Sequence, residues 1–136
     1  MFYDLIVTSS YYKRPTDRYI FKIMMKENKQ LLVLIHLSQF LDFITGIGGF
    51  VIPLIIWLLK KDEIYELDHH GKSVLNFRIS MFIYTLICIP FVFLFGVGII
   101  GFIILGFIYL IFPIVNAVKA SNNQKPYYPL SIQFLK

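Results

Sequence analysis

Charge is scarce in this sequence, and so is cysteine. Of 136 residues only 15% are Asp, Glu, Lys or Arg, against 57% hydrophobic residues and a mean hydropathy of +0.70. A soluble domain carries about 25% charged residues, so that class is excluded and the chain reads as an integral membrane protein. The one cysteine, Cys88, stands inside an apolar run, which excludes an intramolecular disulfide and any paired-thiol redox motif. Also missing are G-x-S-x-G, H-E-x-x-H, a phosphate-binding glycine loop and a Ser-His-Asp set. With no nucleophile beside a base, there is no reason to expect an enzyme, a cofactor or a metal. The first 30 residues hold six Lys or Arg and no apolar stretch of signal-peptide length, so a retained start is expected.

What the chain has in abundance is apolar sequence, in three runs: Leu31 to Leu59, Val74 to Phe95, and Ile99 to Val118. About 20 apolar residues span a bilayer core, so the last two runs suit one crossing each. As one helix the first would be roughly 43 Å long against a core of about 30 Å, so it must tilt, protrude or break. The basic residues decide for a break. Lys13, Arg14, Arg18, Lys22, Lys26 and Lys29 precede the first run, Lys60, Lys61, Lys72 and Arg78 follow it, and Lys119, Lys125 and Lys136 lie beyond the third. If the first run is two short helices hinged at "GIGG", all of these fall on one side, as cytoplasmic segments prefer. Gly46, Gly48 and Gly49 allow a tight turn, and Pro53 weakens the helix just beyond it.

The expected fold is therefore an all-α integral membrane protein with four membrane-embedded elements in two hairpins, 31 to 45 with 49 to 60 and 74 to 95 with 98 to 118. The first hairpin is short or re-entrant, and both termini face the cytoplasm. Residues 1–30 form a cytoplasmic arm ending in an amphipathic basic helix between Tyr19 and Lys29, and residues 31–136 form the membrane domain with a short tail. The helix is either an anchor for anionic lipid headgroups or an ordinary lead into the membrane. Residues 1–18 look irregular and broken by Pro15.

Polar residues inside these runs need partners. On a helix Ser38, Asp42 and Thr45 share a stripe beside the pair His36 and Gln39, Asn76, Ser80 and Tyr84 share a face, and Tyr109 and Asn116 lie seven apart. Such faces either satisfy one another across the bundle or line a polar path. Asp42 is the costliest of them; its candidate partners are His36 and Arg78, and the candidate cluster is His36, Ser38, Asp42, Asn76, Arg78 and Tyr84. The loop "KKDEIYELDHHGKS" lacks converging ligands at zinc spacing and reads as solvated. The tail "KPYYPLSIQFLK" reads as an extended segment with one apolar edge, resting on helix ends or docking another subunit.

The motifs "HLS", "PLIIWLLKKDE", "HGKSVLNF" and "AVKASNNQKPYYPLSIQFLK", in that order over residues 31–136, resemble a family of small prokaryotic membrane proteins catalogued as domain of unknown function 4870. That family is distantly similar to the Tic-twenty subunit of chloroplast protein import. The resemblance implies a helical membrane domain in the prokaryotic inner membrane, with family-motif positions at His36, Pro53, Trp57, Lys60, Lys61, His70, Gly71, Asn76, Phe77, Tyr128 and Pro129. It brings no catalytic residue. Ile52 and Gln133 depart from the family pattern. Two functions follow as expectations. The first is a non-enzymatic accessory subunit of a larger membrane complex, one handling protein translocation, whose partners are lipid and other subunits rather than nucleic acid. The second is a homo-oligomeric transporter or channel with a polar path near Asp42.

Overall fold

The computed structural model describes residues 15–136, and the leader ahead of Pro15 lies outside the described residues. The described chain is helical: α1 Pro15–Met24, α2 Lys29–Leu37, a 3-10 turn Ser38–Leu41, α3 Asp42–Thr45, α4 Gly48–Lys60, α5 Leu67–Phe95 and α6 Val97–Ser121. Among the described residues there is no strand, only an isolated bridge between Lys26 and Ile64.

The amphipathic helix differs from its expected limits at both ends. Pro15 starts α1 instead of breaking the leader, because the first helical position needs no N–H donor and suits proline's fixed φ. The helix stops at Met24 because the next residues extend along the 61–66 loop. Lys26 N–H donates to the Glu63 carbonyl and Tyr65 N–H to the Lys26 carbonyl, both at 3.0 Å. Asn28 then caps α2, its side-chain oxygen accepting from Leu31 N–H at 3.0 Å.

The first apolar run breaks more than the glycines alone suggested. The expected helix over 31–45 ends at Leu37, tightens into the 3-10 turn and resumes for the four residues of α3. The tighter pitch rotates side chains out of α-helical register, so Ser38, Asp42 and Thr45 do not form one stripe. Ser38 Oγ donates to the Ile35 carbonyl and Thr45 Oγ1 to the Leu41 carbonyl, each at 2.9 Å. The turn itself falls at Gly46, whose φ of 79° is left-handed. Gly49 is needed for a different reason: a Cβ there would collide with the Gln39 carbonyl and the Asp42 carboxylate.

Helix α4 has 13 residues, about 20 Å, which is short of a bilayer core. Helix α5 begins at Leu67, not near Val74, so His69 and His70 belong to its first turns and the solvated loop shrinks to residues 61–66. Gly96, with φ of 64°, turns α5 into α6. Both long helices, Leu67–Leu94 and Val97–Ser121, are long and apolar enough to cross a membrane. Their outward side chains, such as Phe93 at 87% and Phe107 at 62% exposure, are too apolar to face water in such numbers. The core of Leu32, Ile35, Leu67, Val74, Phe77, Met81, Ala120 and Tyr128 sits in the half of the molecule away from Gly96.

Candidate functional site

Three polar clusters occupy that half, and each is built by elements distant in sequence. In the first, α2 and its 3-10 extension supply His36 and Gln39, α5 supplies His70 and the tail supplies Tyr128; all four are buried. Gln39 Nε2–H donates to the Tyr128 oxygen at 2.8 Å. The phenol's single hydrogen is then directed to His36 Nδ1 at 2.6 Å, which leaves His36 Nε2–H to donate to His70 Nδ1 at 2.8 Å. With the Gln39 amide placed so, the chain of bonds runs from Gln39 towards His70, and Gln39 Oε1 is left buried without a partner among the described residues. Phe77 stacks on the Tyr128 ring at 4.4 Å between centroids and fixes it. Burial raises the Tyr128 hydroxyl above the ordinary phenol range.

The second cluster answers what Asp42 is doing there. Its carboxylate accepts from Gly49 N–H at 2.6 Å and Tyr109 O–H at 2.7 Å, and is ion-paired with Arg78. The guanidinium lies over the Tyr109 ring, 4.9 Å from its centroid. Of the two partners expected for Asp42, it meets Arg78; His36 is turned away into the first cluster. A cavity of about 550 Å³ lies beside the pair, walled by Ile47, Phe50, Phe82 and Tyr109. Its two oxygens are thus taken up by Gly49, Tyr109 and Arg78.

The third cluster is a ladder. Asn76, Ser80 and Tyr84 do share one face of α5, and what they bind is the C-terminal tail. Tyr84 O–H donates to the Leu130 carbonyl at 2.7 Å, Ile132 N–H to Ser80 Oγ at 2.7 Å, and Asn76 brackets Leu135, accepting its N–H at 2.8 Å and donating to its carbonyl at 2.9 Å. Asn116 of α6 holds Tyr127 in the same reciprocal way, at 2.6 and 2.9 Å. The six residues expected as one cluster are thus divided: His36 in the first, Asp42 and Arg78 in the second, Asn76 and Tyr84 in the third, and Ser38 bonded locally.

The remaining motif positions lock α4 to α5. Trp57 Nε1–H donates to Asp68 at 2.9 Å, Lys72 donates to the other carboxylate oxygen at 2.7 Å, and Gly71 lies so close to the Trp57 ring that any Cβ would strike it. Lys61 sits 5.0 Å above the same ring, and Lys60 pairs with Glu63 at 2.6 Å. Pro53 is fully buried within α4 and Pro129 follows Tyr128 at the tail's entry. Asp68 was missed by the sequence reading because it was placed in a solvated loop; the tryptophan eleven residues earlier was the available signal. These clusters make hydrogen bonds that hold an assembly in shape. None brings an activated nucleophile to a general base.

The sequence model of the magnetosome magnetite crystal formation protein family matches residues 27–135 of this chain. No curated protein and no solved structure matches it. The family match overturns the resemblance to domain of unknown function 4870 and the Tic-twenty subunit, and with it the expected part in protein translocation. The physical reason is visible in the clusters: Trp57, Gly71, Asn76, Phe77 and Tyr128 are packing residues of a small helical bundle, so their order reports architecture rather than activity.

Proposed function

The chain belongs to the magnetosome magnetite crystal formation protein family, and from that premise we propose that it is a non-enzymatic membrane protein serving crystal formation as a structural component of the mineral-enclosing membrane. The observation that carries this is the commitment of Asp42 and His36 to protein partners: Asp42 to Gly49, Tyr109 and Arg78, and both ring nitrogens of His36 to Tyr128 and His70. A protein that works by shape needs that kind of interior, whereas one that works by turnover needs a group left free for substrate. Deleting the family member from a magnetite-forming cell and restoring this chain tests the reading. Crystal size and number, counted by electron microscopy, should recover with the intact chain. Recovery that instead required a small-molecule substrate would overturn it.

Within this reading the chain enters the membrane as two hairpins, α2 to α4 and α5 to α6, with its basic ends on one face. The distribution of Lys and Arg supports that arrangement, and α1 presents exposed Ile20, Ile23 and Met24 as a surface anchor for anionic headgroups. The exposed faces of α5 and α6 meet lipid or neighbouring membrane subunits. Cysteine labelling at Lys61 and Gly96 in a Cys88→Ser background tests the topology, since the two positions should label from opposite sides. The alternative of a transporter using Asp42 is disfavoured, because that carboxylate already has three donors.

A further inference from the structure

At the end of the bundle opposite Gly96, a cavity of about 320 Å³ opens between the start of α2, the start of α5 and the residues after α6. His70 forms part of its wall and is only 2% exposed. Its Nδ1 is occupied by His36, and its Nε2 has no partner among the described residues. The one-way chain from Gln39 through Tyr128 and His36 makes that free nitrogen an N–H donor. That nitrogen stands at the cavity wall, where it can donate to an oxygen acceptor that enters.

The rest of the wall gives that acceptor a charge. Lys29 and Lys125 line the cavity together with Glu27 and Glu66, so the side-chain charges balance. Two backbone features then tip the balance towards an anion. Both α2 and α5 start at this cavity; Asn28 caps α2 through Leu31 N–H, whereas α5 starts from Glu66 with no side-chain cap and has only its Leu67 N–H taken, by the Ile64 carbonyl, ahead of the helix's own bonds. Helix N-termini favour anionic oxygen through those groups and the helix dipole. The two carboxylates favour a singly charged oxyanion, such as a monoanionic phosphate, over a dianion.

We propose that this cavity binds a phosphate-type oxyanion, received by His70 Nε2–H, Lys29, Lys125 and the start of α5. Two sources share that chemistry, free phosphate and the phosphate of a lipid headgroup. The cavity lies at the chain's basic end, where headgroups and dissolved anions are both within reach.

Nitrogen-15 NMR of the three histidines tests this on the full chain in a neutral, phosphate-free detergent. Inorganic phosphate and a short-chain phosphatidic acid are titrated separately. His70 Nε2 should show the resonance of a protonated nitrogen and should shift saturably with at least one probe. A response to inorganic phosphate identifies free phosphate as sufficient; a response to the short-chain lipid alone identifies a headgroup site; both uphold the proposal. The variant Lys29→Ala with Lys125→Ala should bind about tenfold more weakly while the His36 signals stay in place, which separates lost binding from lost fold. An unprotonated His70 Nε2, silence towards both probes, or unchanged affinity in the double variant overturns it.

Discussion

Replacing Asp42 by alanine removes one member of an ion pair that is largely shielded from water, its side chain being 18% exposed and that of Arg78 9% exposed. The Arg78 guanidinium would keep its burial and lose its counter-charge, an arrangement that costs about 3–5 kcal/mol. Gly49 N–H and the Tyr109 hydroxyl also lose their acceptor, and the turn at Gly46 loses the bond that closes it across seven residues. Asp42→Asn keeps an oxygen for Gly49 and should fall nearer the lower end of that range. The double variant Asp42→Asn with Arg78→Met removes the uncompensated charge and should recover most of the loss, because well-packed apolar replacements of buried ion pairs are often close to neutral. Unfolding by SDS in mixed micelles, followed by the fluorescence of the single tryptophan Trp57, measures all four proteins. If Asp42→Ala lies within about 0.5 kcal/mol of the parent, as a solvated surface pair would, the pair does not hold the first hairpin and the reasoning fails.

Other perturbations have equally definite outcomes. Tyr128→Phe strands Gln39 and His36 and should cost about 1–3 kcal/mol, read by the same unfolding assay. It should also alter the alkaline limb of stability. Burial raises the folded-state pKa of Tyr128, so its contribution is complete below the ordinary phenol value of about 10 and is lost as pH climbs past it; the variant should lack that component, and identical alkaline profiles would refute it. Gly71→Ala pushes a methyl into the Trp57 ring and should cost about 1–3 kcal/mol, with a shifted Trp57 emission maximum as its signature. Asn76→Ala withdraws the three bonds that bracket the chain end and should make the last residues the first to be cleaved in limited proteolysis, while the parent tail resists.

Much of this was legible in the sequence, for reasons that differ by residue. Composition and run length are enough to reveal a helical membrane protein, and the surplus length of the first run together with its glycines locates the break at Gly46. Helical spacing correctly groups Asn76, Ser80 and Tyr84, because α5 is regular over that stretch. The same spacing rule fails for Ser38, Asp42 and Thr45, since it assumes 3.6 residues per turn and the chain there tightens to three. What no local rule could supply is Tyr128. It meets His36 across 92 positions and Gln39 across 89, and a tail that reads as a loose apolar-edged strand gives no local sign that its tyrosine enters the core.

The insertion of Tyr128 also explains how so small a bundle can hold an apolar helix too short to span a bilayer. Helix α4 cannot anchor itself by length, and α2 ends after nine residues. Their position is set from outside: Trp57 and Gly71 fasten α4 to α5, Arg78 and Tyr109 hold the turn through Asp42, and the tail ties α2 to α5 through Tyr128. In lipid, where hydrophobic burial between helices contributes little, packing and hydrogen bonds between elements must supply that cohesion. The buried polar residues that first suggest a transport path are thereby explained by the cohesion of a broken helix. What is left over among the described residues is Gln39 Oε1 and Arg78 Nη1, buried without partners, and the second ring nitrogen of His70 at the wall of the cavity.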